Sequence, residues 1–276
     1  MRDSIPMVSV VIPAYNAEQW IDECIDSVMK QDYPKIEIVV VDDASTDNTK
    51  QTLLKILNST HPCSMVISCH TQNMGECVSS FDGFTLAIGK YICRLSADDA
   101  FVNNTHISEQ VKLMETSGKD WCYNQSNLVG EWLYGCKEKI AFWFPTRSSD
   151  EDSLKFLRVF DNFILNHPYI ALLICLRGRN PVNSSTLMIR RSCYEDVKWC
   201  KEYRTDCDGM IIMRMLLKGK VGVSDPHVGA FYRIHPGQGS YNPKYLNEVQ
   251  NIRTRIKSKI AYGDYPQWLK IMTRLI

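Results

Sequence analysis

The stretch "VSVVIPAYNAEQWIDECIDSVMKQDYPKIEIVVVDDASTDNT", Val8 to Thr49, decides the fold. Two Val/Ile-rich runs, Met7 to Ile12 and Ile36 to Val41, flank a segment whose apolar residues recur every three or four positions: Trp20, Ile21, Cys24, Ile25 and Val28. Near-continuous β-branched runs suit strands covered on both faces, as in a parallel sheet, and the spacing between them is that of an amphipathic helix over Ala17 to Gln31. Pro13 stops the first run. The second ends in Asp42 and Asp43, and the turn and N-cap residues Ser45, Thr46, Asp47 and Thr49 follow.

Outward from this unit the alternation continues. Thr49 to Leu57 has helical spacing, Met65 to Cys69 reads as a third strand, and Val78 to Ile88 as a helix with Gly89 in the expected C-cap position. Tyr91 to Leu95 is again β-branched and aromatic, and it runs into "SADD", Ser96 to Asp99. This rhythm over about the first hundred residues predicts an α/β domain with a Rossmann-like, mostly parallel twisted sheet flanked by helices. Ligands of such sheets sit outside the carboxyl ends of the strands, so Pro13 to Asn16, Asp42, Asp43, Asp98 and Asp99 are candidates for one cleft.

The second half is less regular. Trp121 to Phe144 is aromatic-rich and mixes sheet with loop; its Trp121, Trp132 and Trp143 fit an apolar core or lid better than an acceptor-stacking platform. Asp150 to Arg158 and Cys207 to Leu217 look helical, Lys220 to Ser224 strand-like, and Tyr232 to Pro243 turn-rich. From Lys244 onward the chain is basic and amphipathic, with Arg253, Arg255, Lys257 and Lys259 interleaved with Ile252, Ile256 and Ile260.

The 276 residues carry a net charge of +1, which argues against nucleic acid as the main partner. Eleven cysteines, with no C-x-x-C pair, read as free thiols in a reducing compartment. The start lacks the apolar core of a secretory signal, and the apolar run Tyr169 to Leu176 is far short of the roughly 20 residues of a membrane span. A cytoplasmic protein is expected. At most it is peripheral at a membrane, through the basic C-terminal tail.

Two adjacent carboxylates repel, and taking them out of water is costly unless a cation offsets the charge. "SADD" at a strand end therefore suits Mn²⁺ or Mg²⁺ held against a substrate diphosphate, or equally a solvated turn that caps the next helix. Asp42 and Asp43 present a similar choice between turn capping and accepting hydrogen bonds from a nucleobase or ribose.

The Val8 to Thr49 stretch followed by "NMGECVSSFDGFTLAIGKYICRLSADDA" resembles the nucleotide-sugar-dependent inverting glycosyltransferases of family 2, which have a GT-A fold. The resemblance is high over Val8 to Ala100, fair over Asn183 to Ser240 and faint between Asn104 and Pro181. It implies that residues 1–104 form the nucleotide-sugar-binding half, 105–240 the acceptor-binding and catalytic half of the same GT-A domain, and 241–276 a basic helical tail. Pro13, Ala14 and Tyr15 would then wall the nucleobase pocket, with Asp43 as base contact and Asp42 beside it. Asp98 and Asp99 match the metal and ribose-diphosphate motif. Ser96 stands where that motif often begins with a further Asp, and Ser80 and Phe81 stand where Arg-Asn is common, so a diphosphate or ribose contact is absent or supplied elsewhere.

"YRTDCDGMIIMRMLLKG" resembles the family's late motif of two acids, which makes Asp206 the general base, with Thr205 in place of a usual Glu and Asp208 as a competitor. "YRIHPGQGS" resembles its C-terminal pattern, in which His235 reaches the metal or diphosphate while Arg233 and Ser240 contact phosphate oxygens. The implied reaction is a metal-dependent single displacement with inversion, from a nucleoside-diphosphate sugar, UDP-sugars favoured, to a hydroxyl of a glycan, lipid-linked or protein acceptor. Two rivals are a catalytically degenerate nucleotide-sugar-binding module and a sugar-nucleotidyltransferase. The latter needs a Gly-rich phosphate loop after the first strand, and the chain has "PAYNAEQW" there instead.

Overall fold

The computed structural model describes residues 5–129, 163–177, 182, 184–197, 207–238 and 243–276. The expected helix over Asp150 to Arg158, with Trp132 and Trp143, lies outside them. The first half follows the alternation: β1 (Val8–Ala14), α1 (Ile21–Met29), β2 (Ile36–Asp42), α2 (Thr49–Leu57), β3 (Ser64–Cys69), α3 (Glu76–Leu86) and β4 (Tyr91–Arg94). Then come β5 (Ala100–Phe101), α4 (His106–Ser117), β6 (Trp121–Val129), α5 (Pro168–Leu176), a 3-10 turn over Ser184–Thr186, β7 (Met188–Arg190), α6 (Arg191–Val197), α7 (Cys207–Leu217), β8 (Gly222–Arg233), α8 (Pro243–Tyr262) and α9 (Gln267–Arg274).

All eight described strands join one sheet in the order β3-β2-β1-β4-β7-β6-β8-β5. The β3-β2-β1-β4 block is parallel, β7 runs antiparallel to both β4 and β6, β6 and β8 are parallel, and β5 closes the edge antiparallel to β8. The sheet thus continues from the regular first half into the less regular second half. Each face carries its own apolar layer. Val8, Val10 and Ile12 pack with α1 and Leu53 of α2, whereas Val11 and Val39 face the layer that includes Phe84, α5, α7 and Ile252, Ile256 and Ile260 of α8. The alternation of side chains across a strand sends neighbours to opposite layers, and both are filled.

Several boundaries moved for identifiable reasons. β1 continues through Pro13 to Ala14, because its ladder to β4 ends at Val11 and the N–H that proline lacks would point past that end. The first helix begins only at Ile21, since the Ala17 N–H donates to Thr49 Oγ1 at 2.8 Å and holds the preceding residues in a turn. Gly89 is not a left-handed C-cap: α3 ends at Leu86 and continues extended at Ala87. What Gly89 provides is room, as a Cβ there would lie 2.7 Å from the Ser9 backbone nitrogen. Gly83 does the same for α3, where a Cβ would meet Val11 Cγ1 of β1 at 2.4 Å.

His106, the first residue of α4, is fully enclosed, packed on Phe101 at 4.6 Å between ring centroids and against Gly229. Its Nε2 has no hydrogen-bond partner, and burial lowers its pKa to about 3, against a weaker upward pull from Asp225. The unfolded chain titrates near 6.5 and therefore binds the extra proton first, so stability falls as pH drops from 6.5 toward 3. We expect the melting temperature to decline over that interval less steeply in His106→Leu than in the wild type; parallel declines would contradict this assignment.

Candidate functional site

From β1 the chain winds outward through β2 to β3, then crosses back to place β4 on the other side of β1. The loops leaving β1 and β4 therefore diverge, which opens a crevice at the carboxyl ends of the strands. A cleft of about 740 Å³ occupies that place, within the size range of small-molecule sites.

One end is built by the loops after β1 and β2. Pro13 and Ala14 form its floor and Tyr15, 48% exposed, its rim. The Asp43 carboxylate lines the same end and is held by three donors or partners: the N–H groups of Met74 and Gly75, each at 2.7 Å, and His70 Nδ1 at 2.7 Å. His70 Nε2 in turn meets Asp82 at 3.2 Å. Asp42 does not line the cleft; its carboxylate accepts from the Ser45 N–H at 3.3 Å and shapes the turn. Of the residues expected to cap α2, Ser45, Thr46 and Thr49 bind the β1 loop, and Asp47 does both, Oδ1 accepting from the Thr49 N–H at 3.0 Å and Oδ2 from the Glu18 N–H at 3.1 Å. Asn16 accepts from the Thr46 N–H at 2.8 Å, Ser45 Oγ accepts from the Asn16 N–H at 3.0 Å, and Glu18 accepts from the Asn48 N–H at 2.9 Å. Asn16 and Ala44 both sit at positive φ, +50° and +59°, and this cross-lacing of the two loops holds them there.

At the other end the adjacent acids part company. The Asp98 side chain faces the cleft, with Oδ2 3.1 Å from His235 Nε2. Trp20 packs against the His235 ring, centroids 4.3 Å apart and planes tilted by 38°. Asp99, 2% exposed, turns the opposite way: it accepts from the Arg233 N–H at 2.9 Å and from the Ser185 hydroxyl. Burial, and then the neighbouring Asp98 charge, push its carboxyl well above the ordinary carboxylate range. Asp98, rather than Asp99, is thus the carboxylate turned toward a ligand. Arg233, expected at phosphate oxygens, does not line the cleft; its guanidinium donates to the Asp98 carbonyl at 2.9 Å and to Glu23 at 2.8 Å. Among the described residues no group of three or more His, Cys, Asp or Glu gathers around one point. Asp98 and His235 nonetheless offer one carboxylate and one imidazole to the same spot, a donor set that a substrate diphosphate can complete.

Asp206, Thr205 and Ser240 lie outside the described residues. Residues that the sequence did not single out also line the cleft: Trp20, whose helical spacing placed it on an apolar face, and Glu76 and Arg94. Arg94 was signalled by a lone charge inside the buried run "YICRL", where only a paired guanidinium is tolerated.

A sequence profile of Glycosyl transferase family 2 matches residues 9–174, more than half of the chain. This chain belongs to that family. Among its relatives, an uncharacterized glycosyltransferase of Haemophilus influenzae is 29% identical over 91% of this chain and 73% of its own length. The Escherichia coli UDP-Glc:alpha-D-GlcNAc-diphosphoundecaprenol beta-1,3-glucosyltransferase WfaP is 27% identical over 92% and 88%. In three dimensions the chain matches Staphylococcus aureus TarS in complex with UDP-GlcNAc, TM-score 0.70 at 20% identity over 96% of this chain and 69% of that one. It also matches the Pyrobaculum calidifontis mannosyltransferase PcManGT in complex with GDP-Man and Mn²⁺, TM-score 0.68 at 18% identity over 99% and 69%. The fold of this family 2 glycosyltransferase is GT-A.

Within it, Asp99 has a structural task. Its loss would remove the hydrogen bonds that it accepts from the buried Ser185 hydroxyl and the Arg233 N–H, at about 1–3 kcal/mol for each. Asp99→Ala is expected to lower unfolding free energy by roughly 2–4 kcal/mol in urea titrations; an unchanged midpoint would refute the latch.

Proposed function

We propose that this glycosyltransferase moves a sugar from a nucleoside-diphosphate sugar, UDP-sugars favoured, to an acceptor hydroxyl by a single displacement that inverts the anomeric carbon. The observation that carries this reading is one cleft at the β1/β4 crossing, walled by Pro13, Ala14 and Tyr15, into which Asp43, Asp98 and His235 all project. Asp43 is the acceptor for a nucleobase N–H, its position fixed by His70 and two backbone N–H groups. Tyr15 covers the base.

Asp98 and His235 are the residues that would hold Mn²⁺ or Mg²⁺, and the imidazole favours Mn²⁺. When bound, the ion supplies charge stabilisation for the departing nucleoside diphosphate. Trp20 packs on His235 and fixes the ring that faces Asp98. Asp206 takes the proton from the attacking acceptor hydroxyl. The PcManGT complex with Mn²⁺ and the TarS complexes with UDP and UDP-GlcNAc support the donor and metal classes, and WfaP supports a lipid-linked acceptor. A catalytically degenerate binding module is the alternative that Ser80, Ser96 and Thr205 keep in view.

A thermal-shift screen of UDP-, GDP- and dTDP-sugars with and without Mn²⁺ tests the donor class, since a ligand of the native state raises its apparent stability. We expect a UDP-sugar to raise the melting temperature only with the metal, and no shift from any donor would remove the proposal. Asp206→Asn is expected to lower kcat by about 100-fold or more while sparing donor binding. Wild-type protein that binds donor but never turns it over would favour the binding module.

A peripheral membrane contact belongs to the same reading, but α9 supports it better than the basic face of α8. The isoleucines of α8 are buried in the core, whereas α9 exposes Trp268, Ile271, Met272 and Leu275 along one arc beside Lys270 and Arg274. No described helix is long and apolar enough to cross a membrane. An exposed apolar arc with a tryptophan and basic neighbours suits an anionic bilayer surface. Flotation with phosphatidylglycerol vesicles should recover the protein and lose it for Ile271→Glu; equal flotation of both, or none of the wild type, would count against it.

A further inference from the structure

The cleft contains one buried pair that the proposed mechanism does not use. Arg94 at the end of β4 is 1% exposed and is the only Arg or Lys side chain lining the cleft among the described residues. Its guanidinium donates to Ser80 Oγ at 3.4 Å, to Ser96 Oγ at 3.0 Å, to the Ser184 hydroxyl and to the Glu76 carboxylate. Glu76, at the first turn of α3, lines the cleft with 41% of its side chain exposed. Its Oε1 is the oxygen on Arg94, and Oε2 takes no hydrogen bond among the described residues.

Positions 80 and 96 carry serines where the family resemblance leads one to expect an arginine and an aspartate. Arg94 touches both serine hydroxyls. A guanidinium and a carboxylate are therefore present in this part of the cleft after all, contributed by residues 94 and 76 instead of 80 and 96. The buried guanidinium and the carboxylate on it form one ion-paired unit.

The charge of Glu76 limits what it can face. A carboxylate beside a diphosphate is repelled unless a cation or several donors intervene. Asp98 has His235 and the metal position, Asp43 has its three partners, and Glu76 has Arg94 on Oε1, which leaves its outer oxygen as an acceptor suited to a hydroxyl donor rather than to a phosphate oxygen. The parts of a nucleoside-diphosphate sugar that offer hydroxyl donors and no negative oxygens are the ribose and a neutral sugar ring; a contact to the ribose would be shared by UDP, whereas one to the sugar ring would be made by the UDP-sugar alone. Resting on the donor class proposed above, we infer that Glu76 is the acceptor for hydroxyl groups of a neutral transferred sugar, and that Arg94 is the positioning residue that aims it.

Hydrogen bonds to a charged acceptor are worth about 1.5–3 kcal/mol, which is roughly tenfold or more in affinity. Calorimetry with Mn²⁺ should find that Glu76→Gln weakens UDP-glucose binding by about tenfold and leaves UDP within about twofold. Adding Ser96→Asp to Glu76→Gln, which returns a carboxylate to the neighbourhood of Arg94, should regain most of the lost affinity. Glu76 is half exposed and its substitution spares the core, so a folded variant is expected; a matching melting temperature verifies it. The inference is overturned if Glu76→Gln binds UDP-glucose like the wild type, or loses UDP and UDP-glucose equally. Wild-type protein that binds neither nucleotide would instead overturn the donor class itself, and this inference with it.

Discussion

One carboxylate turned away from the cleft determines how the cleft is assembled. Asp99 sits buried where the loop after β4, the last residue of β8 and the turn around Ser185 converge, and it accepts a hydrogen bond from each of the last two. Because Asp99 points inward, its neighbour must point outward, and Asp98 comes to face His235. Arg233 closes the arrangement from behind by donating to the Asp98 carbonyl and to Glu23 of α1. The cost of two adjacent acids is met by separating their environments. One has its charge opposed by burial and by its neighbour, and the other is left accessible.

The opposite end of the cleft follows a different rule. Asp43 is fixed by backbone N–H groups that belong to the loop entering α3, so the acceptor position depends on chain path rather than on a rival side chain. That loop also delivers Glu76 to the cleft, and Arg94 reaches it from β4. Helix α3 can lie this close to the sheet only because residue 83 has no side chain. The two ends of the cleft are thereby tied to one helix and two strands, which keeps their separation constant.

Much of the first hundred residues was legible because its signals are local. Buried parallel strands read as Val/Ile runs, and α1 and α2 read from their spacing. The strand ends were also legible as a cleft, since topology alone places ligands there. What could not be read was which way a side chain turns. Asp98 and Asp99 are equivalent in sequence, and only the positions of Ser185 and Arg233, 86 and 134 residues away, distinguish them. Ser45 and Thr49 looked like helix caps because such residues favour caps, but their hydroxyls accept from the β1 loop, and Asp47 divides its carboxylate between the local Thr49 N–H and the distant Glu18 N–H. Gly89 was misassigned for a related reason: a glycine after a helix fits both a C-cap and a close approach, and the deciding backbone lies about 80 residues earlier. In the second half the strand partners are distant in sequence, as with the β6–β8 pairing, and β7 has only three residues; local periodicity has little to register there.

The double burial of β1 also sets where this molecule can change. Every residue of that strand is buried, with neighbours packed into opposite layers, so an altered volume is transmitted to helices on both sides at once. β7, by contrast, joins the parallel block through three residue pairs to β4 and reaches β6 through two. With so narrow a seam, β8 is fastened to the parallel block as much by the bonds that Arg233 and His235 make to Asp98 and Asp99 as by the strand ladder, so the cleft itself helps to clasp the two parts of the sheet together.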